Sequence, residues 1–358
     1  MNEESLKLTT YFGERDRTQD GLLADELLDV YGGHRLAASI LLRGSEGFGA
    51  GQHVRTDRLL SLSEDLPVVS IAVDRRDRIE AMLEPVLQIK RRGLITLERA
   101  RMLSGEIGAV KLPQTPGHES KLTVYVGRHE HSGERPAYVA ITDLLHARGI
   151  AGASVLLGVD GTRGGRRFRA SFFGRNAEVP CMVIAVGEGT RIAQALPEVA
   201  ALVREPLMTL ERVRVCKRDG ALLATPHELP GTDEQGRQLW QKLTVYASQS
   251  ATWQGHPLNL QIIRRLRKSG AAGATSMRGI WGFHGAHSPH GDRFLQLRRR
   301  VPVVTTVIDS PQRIEESFLI IDEITAGEGL VTSEMVPALR ALGPAEPYGG
   351  TELASYDC

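Results

Sequence analysis

The chain has 358 residues, more than one ordinary hydrophobic core accommodates, and it suits two or three domains. Apolar residues make up 41% and charged residues 24%, and 44 Lys and Arg nearly balance 43 Asp and Glu, so a net charge of +1 gives no global field for steering nucleic acid or an anionic membrane. No apolar run approaches the ~18–20 residues of a bilayer span, and the polar start MNEESLKL carries no signal-peptide core, so the expectation is a soluble, cytoplasmic protein. Cys181, Cys216 and Cys358 form no ligand-spaced pair and read as buried or spare thiols.

The elements recur in threes. A strand pattern Lys-Leu-Thr-x-Tyr, alternating with period two, begins at Lys7, Lys121 and Lys242. A helix follows with apolar residues at intervals of three to four: Leu23, Leu27 and Leu28; Ile141, Leu144 and Leu145; Ile262, Ile263 and Leu266. Each helix is expected to stop at a glycine, Gly32, Gly149 or Gly270, the residue best suited to a left-handed C-cap. A second strand ends 37 residues after the lysine each time, at Gly44, Gly158 and Gly279. A loop of 22 or 23 residues leads to a proline (Pro67, Pro180, Pro302) and a β-branched third strand. A second helix then precedes a last strand opening with Leu-x-Thr at Leu94, Leu207 and Leu330.

This β-α-β-β-α-β order predicts an α+β fold of three tandem ferredoxin-like domains, each an antiparallel sheet with both helices on one face. The other sheet face needs cover, and three copies supply it by packing around a pseudo-threefold axis, as an intrachain pseudo-trimer that is monomeric in solution. The boundaries predicted are repeat 1 at 1–105, a linker at 106–119, repeat 2 at 120–218, a linker at 219–239 and repeat 3 at 240–337. Residues 338–358 read as a loose tail.

The opening KLTVYxG, the run Leu42-Arg43-Gly44-Ser45-Glu46-Gly47-Phe48-Gly49 and the stretch Leu62-Ser63-Glu64-Asp65-Leu66-Pro67 resemble the domain-of-unknown-function-190 family, a branch of the PII-like signalling superfamily. The likeness covers nearly all of copy one and is clear in copy three (Met277-Arg278-Gly279-Ile280-Trp281-Gly282-Phe283). In the middle of copy two (Leu157-Gly158-Val159-Asp160-Gly161-Thr162) it is weak. The resemblance implies a PII-like regulatory protein. Such a protein binds a small anionic effector, often an adenine nucleotide, in the clefts between domains and signals to a partner through the long loop after the second strand. The family's frequent place beside fluoride-exporter genes points to a membrane transporter or channel as that partner.

Within the long loops, copy one carries Arg43, Gly44, Gly47, Phe48 and Arg58, and copy three carries Arg278, Gly279, Gly282, Phe283 and Arg293 at the same offsets. Arginine forks suit phosphate, glycines let backbone N–H groups approach an anion, and an aromatic stacks on a base, so these ten are the candidate effector-binding residues. The competing reading is that the arginines pair with acids such as Glu46 or Asp57 and the phenylalanines are core. Copy two has Leu157, Gly161, Thr162 and Ser171 instead, so fewer than three ligands are expected per chain. Its loop is basic (Arg163, Arg166, Arg167, Arg169, Arg175), copy three has Arg298-Arg299-Arg300, and copy one alone has Lys90-Arg91-Arg92 before its last strand. In copies two and three Arg204-Glu205-Pro206 and Gly327-Glu328-Gly329 stand at that place. His284, His287 and His290, spaced by three, open the alternative of a metal-binding protein, and a structural adaptor with empty clefts is another. No elbow, Walker loop or His-Glu-x-x-His motif is present, so no enzyme and no established cofactor is expected.

Overall fold

The computed structural model describes residues 4–49, 51–57, 65–108, 110, 119–169, 179–285, 287–291, 301–343 and 347–356. Repeat 1 comprises β1 (Glu4–Gly13), α1 (Leu23–Gly33), β2 (Ala38–Arg43), β3 (Glu46–Phe48), β4 (Arg55–Thr56), β5 (Pro67–Arg75), α2 (Arg76–Ile89) and β6 (Gly93–Ser104). Repeat 2 comprises β7 (Glu119–Gly127), β8 (His131–Ser132), β9 (Arg135–Pro136), α3 (Ala137–Ala147), β10 (Gly152–Leu157), β11 (Asp160–Arg163), β12 (Arg166–Arg167), β13 (Pro180–Glu188), α4 (Gly189–Ala201), β14 (Leu207–Arg218) and β15 (Ala221–Leu222). Repeat 3 comprises β16 (Trp240–Ser248), β17 (Thr252–Trp253), β18 (His256–Pro257), α5 (Leu258–Lys268), β19 (Ala274–Arg278), β20 (Trp281–His284), β21 (His290–Gly291), β22 (Pro302–Asp309), α6 (Pro311–Ile324) and β23 (Leu330–Val336). Two more strands follow, β24 (Ala338–Leu342) and β25 (Tyr348–Gly350).

The three repeats build the same α+β unit. In the first, β1 lies between β5 and β6, and β2 pairs outside β5, all antiparallel. The second has the order β10-β13-β7-β14 and the third β19-β22-β16-β23. The period-two pattern explains which residues go where. Leu6 and Leu8 face α1 and α2 in the first repeat's own core, as Leu122 and Val124 do in the second and Leu243 and Val245 in the third. The intervening Lys, Thr and Tyr of each motif therefore point to the opposite sheet face. There Ile40, Ile71, Tyr125, Ile184, Tyr246 and Val304, drawn from all three repeats, form one shared core. Sheet packs on sheet because no single repeat can cover that face.

Two cyclic sets of strand pairs hold the ring. In one, the loop after the second strand adds a strand to a neighbour. β3 pairs with β19, β20 with β10, and β11 with β2, so repeat 1 joins repeat 3, repeat 3 joins repeat 2, and repeat 2 joins repeat 1. In the other, the end of each last strand pairs with the start of the next one. Ser104 stands opposite Leu207, Arg218 opposite Leu330, and Leu342 opposite Gly93.

The last pair changes the reading of the C-terminal segment. Its composition suggests a loose tail, but β24 is the third repeat's counterpart of the closing strand ends of β6 and β14, with Leu339 buried. Pro337 lacks the N–H needed to continue β23, so the strand breaks there and resumes on repeat 1. The first helix also ends differently from expectation. Gly149 and Gly270 adopt φ of +68° and +83° at the left-handed position, whereas Gly32 lies inside α1 and Arg35 takes the left-handed turn at +49°. Cys181 and Cys216 are buried free thiols, both pushed up to about 12 by burial and therefore unreactive.

Candidate functional site

The axial face carries a closed ring of six charges. Each lysine of the Lys-Leu-Thr-x-Tyr motif pairs with a glutamate four residues into its own last strand: Lys7–Glu98 at 3.1 Å, Lys121–Glu211 at 2.9 Å and Lys242–Glu334 at 3.3 Å. Each also pairs with a glutamate of another repeat, Lys7 with Glu211, Lys121 with Glu334 and Lys242 with Glu98. All six side chains are nearly removed from water, so each charge depends on its neighbours. Burial alone would raise the carboxyls of Glu98 and Glu211, but the surrounding ammonium groups prevail, holding Glu98 well below the usual range and Glu211 at about 2. The lysines are not equivalent. Burial lowers all three, and the glutamates overcome it for Lys7 and Lys121 but not fully for Lys242. Among the described residues the three glutamates are the only acidic or histidine group with donor atoms converged within 4.8 Å, and the lysines between them already neutralise it.

Around this ring the pseudosymmetry makes three clefts, each between one repeat's loop strand and α–β turn and another repeat's last strand. They differ. Between repeats 1 and 3 lies a cavity of about 410 Å³. Phe12, Phe48 and Arg92 line it from repeat 1, and Trp240, Leu339 and Tyr348 from repeat 3 and the closing strands. His53, Arg55 and Asp16 stand at its polar side. Arg55 pairs with Asp65 at 2.9 Å, and Asp16 accepts from the Gly13 N–H, while Arg92 has no acidic partner among the described residues.

The turn bearing Arg92 is held from below. Lys90 Nζ donates to the carbonyls of Tyr11 at 2.9 Å and Arg92 at 2.7 Å and lies 5.2 Å from the Phe12 ring centre. Burial lowers this ammonium to about 7, with Asp16 partly opposing. Gly93 follows at φ +93°, where a Cβ would stand 2.0 Å from the Tyr11 carbonyl, so no larger residue fits the turn.

The cleft between repeats 2 and 1, about 790 Å³ and widely open, is lined by Arg163, Arg204 and Glu205 of repeat 2 and by Ser104 and Glu106 of repeat 1. In the cleft between repeats 3 and 2, the Asp219–Gly220 turn lies on the α6–β23 turn. The Asp219 N–H donates to Gly329 at 2.9 Å, and Lys217 pairs with Asp322 at 2.6 Å. A small cavity of about 20 Å³ lies nearby, beside Gly282, Phe283 and His284.

The candidate residues distribute as follows. Gly47 and Phe48 line the 410 Å³ cavity, whereas Arg43 and Gly44 do not. Arg43 is half exposed and pairs with Glu14 at 2.8 Å, and Arg278 pairs with Asp57 of repeat 1 at 3.2 Å. Phe48 is buried in the core of repeat 3, and Phe283 in that of repeat 2. The glycines face neighbouring backbone. A Cβ on Gly47, Gly161 or Gly282 would lie 2.7, 2.4 or 2.3 Å from a carbonyl of the strand it joins, and Gly44 and Gly279 are similarly crowded by Pro67 and Pro302. Arg58 and Arg293 lie outside the described residues, as do Ser171, Arg175 and Arg298 to Arg300. Of copy two's basic loop, Arg167 binds Asp160 at 2.8 Å and Asp29 of α1 at 3.1 Å, and Arg169 binds Asp25 at 3.2 Å. The reading from sequence missed the glutamates of the ring, although Glu98, Glu211 and Glu334 each stand four residues after the Leu-x-Thr landmark. It also missed Trp240, Leu339 and Tyr348, for which only the closing strand supplies a signal.

No helix among the described residues is long and apolar enough to cross a membrane. Two solved structures show remote likeness. An aspartate kinase from Synechocystis is 10% identical, with a TM-score of 0.25 over 96% of this chain and 45% of that one. An anthrone oxidase-like protein is 13% identical, with a TM-score of 0.18 over 65% of this chain and 96% of that one. A UPF0166 protein of Aquifex aeolicus (strain VF5) is 29% identical over 98 residues, which is 27% of this chain and 90% of that protein. The family model DUF190, described as Uncharacterized ACR, matches residues 5–102, 119–215 and 240–338. Those spans coincide with the three structural repeats, and the chain belongs to the DUF190 family as three tandem copies in one polypeptide.

Proposed function

We propose that the chain is a PII-like regulator with ferredoxin-like repeats that binds one small anionic effector, of the adenine nucleotide class, between repeats 1 and 3. The observation that carries this reading is the 410 Å³ cavity, with aromatic walls from both repeats and a guanidinium, Arg92, that has no acidic partner among the described residues. Ligand pockets are commonly of ~300–1,000 Å³, mostly apolar, with a few polar groups that fix orientation. Phe12, Trp240 and Tyr348 offer faces for a planar base, and Arg92 and His53 offer positive charge for a phosphate. Binding would couple the first loop to the closing strands, so occupancy could be reported to a partner protein through the loop.

Calorimetric titration of the full chain with AMP, ADP, ATP and cyclic AMP tests this. The expected result is one ligand per chain, with Arg92→Ala weakening it roughly tenfold or more, as loss of a charge-assisted hydrogen bond does. No binding by any of the four, or binding indifferent to Arg92→Ala and Trp240→Ala, overturns it.

A further inference from the structure

We propose that the closed junction between repeats 3 and 2 is a divalent transition-metal site. Its donors are His284, His287 and His290 of the third loop and Asp219 of the second repeat's hairpin.

His284 is the hub. Both of its ring nitrogens are shut off from solvent, and neither has a hydrogen-bond partner among the described residues. A buried imidazole with two idle nitrogens is costly unless something accepts or ligates them. The groups around it are those a metal would use. The His287 ring stands 5.3 Å from it, centre to centre, and His287, His290 and Asp219 all act electrostatically on it. His290 Nδ1 lies 2.8 Å from the Ser288 carbonyl, which can only accept, so the proton is on Nδ1 and the lone pair is left on Nε2. The Asp219 carboxylate presses against Gly285, where a Cβ would be 2.8 and 2.9 Å from its two oxygens.

A second carboxylate completes the outer shell. Glu328, in the α6–β23 turn, has a buried Oε1 without a hydrogen-bond partner among the described residues and interacts with His287. A ligating histidine usually gives its other N–H to such a group. Backbone geometry fixes the frame: Asp219 is tied to Gly329, and Gly285 to Ala151, both at 2.9 Å. The corresponding loop positions in the other repeats, Gly49 and Arg163, cannot ligate, so the site belongs to one cleft only. Imidazole with carboxylate suits zinc, nickel, cobalt or copper and discriminates against magnesium. The four donors do not converge within 4.8 Å of one another in this structure, so metal binding requires the exposed His287 and the half-buried His290 to turn inward to the ~2.0–2.1 Å of a metal–nitrogen bond.

The test titrates the full chain, without a polyhistidine tag, with Zn²⁺, Co²⁺ and Mg²⁺. Expected are one Zn²⁺ per chain, no Mg²⁺, and a Co²⁺ visible spectrum of nitrogen and oxygen ligands without thiolate bands. His284→Gln and His290→Gln should each weaken Zn²⁺ by roughly tenfold or more, and Asp219→Asn and Glu328→Gln by a smaller factor. Asp219→Asn and Glu328→Gln lie off the strand, so they keep the test open should a strand variant fail to fold. Thiolate bands, failure of the wild-type chain to bind Zn²⁺ or Co²⁺, or affinity unmoved in every folded variant overturns the assignment.

Discussion

The ammonium of Lys7 in the first repeat donates to the carboxylate of Glu211 in the second, 204 residues away in sequence. Two equivalent pairs complete the circle, so the chain is closed at its centre by charges that have no other counter-ions among the described residues. Lys121→Met, which leaves three buried carboxylates facing two ammonium groups, should cost about 3–5 kcal/mol, the cost of breaking a buried pair. Replacing all six charges with apolar residues of similar volume should be far milder. Urea unfolding of both variants checks the contrast, and a mild effect for the single change would show the ring to be hydrated.

The ring also sets the response to acid. Glu98 and Glu211 are held below their usual range in the folded protein, so the unfolded chain takes up protons first as pH falls. Stability from these groups is therefore full above about pH 4.5 and declines below it, down to about pH 2 for Glu211. Chemical denaturation from pH 6 to pH 3 should show that fall, and a flat profile would count against the charged ring.

Lys90 works in the opposite direction. Its ammonium is lowered to about 7, so between that pH and about 10.5 the unfolded chain holds the extra proton and stability rises with pH. The slope approaches about 1.4 kcal/mol per pH unit inside that window. Lys90→Met should flatten this segment of the profile while leaving the acid limb intact. A variant with an unchanged slope would place the titration elsewhere.

Gly47, Gly161 and Gly282 allow the loop strands to reach their neighbours, so Gly161→Val should separate repeat 2 from repeat 1. A side chain there would meet the Ser39 carbonyl. The expected effect is a loss of a few kcal/mol, as in overpacked interfaces, and faster amide exchange at Ser39 and Leu41. An unaltered exchange pattern would mean that the strand pairs are dispensable.

Removing residues 338–358 should do more than shorten a tail. It uncovers the edge of β6 from Gly93 to Leu97 and takes away Leu339 and Tyr348 from the 410 Å³ cavity. The truncated chain should lose both nucleotide binding and stability and should self-associate through the bare strand edge. A monomeric, equally stable product would refute the closing role. By contrast, Arg43→Ala should cost only about 0–1 kcal/mol, because its pair with Glu14 is exposed.

The amino-acid sequence alone determined the threefold repeat, the order of elements and the faces of the first strands. Those properties depend on local periodicity, and Lys-Leu-Thr-x-Tyr states its alternation within five residues. It also marked Gly47, Phe48 and the turn around Lys90 as unusual. What they do was decided by tertiary structure, because Gly47 and Phe48 meet partners hundreds of residues away in repeat 3. The same holds for the charged ring, whose lysines and glutamates look like ordinary surface residues until the three sheets face one another. The C-terminal strand was the hardest to read: its Gly- and Pro-rich composition resembles a linker, and only the open edge of β6, created by folding, makes it a strand.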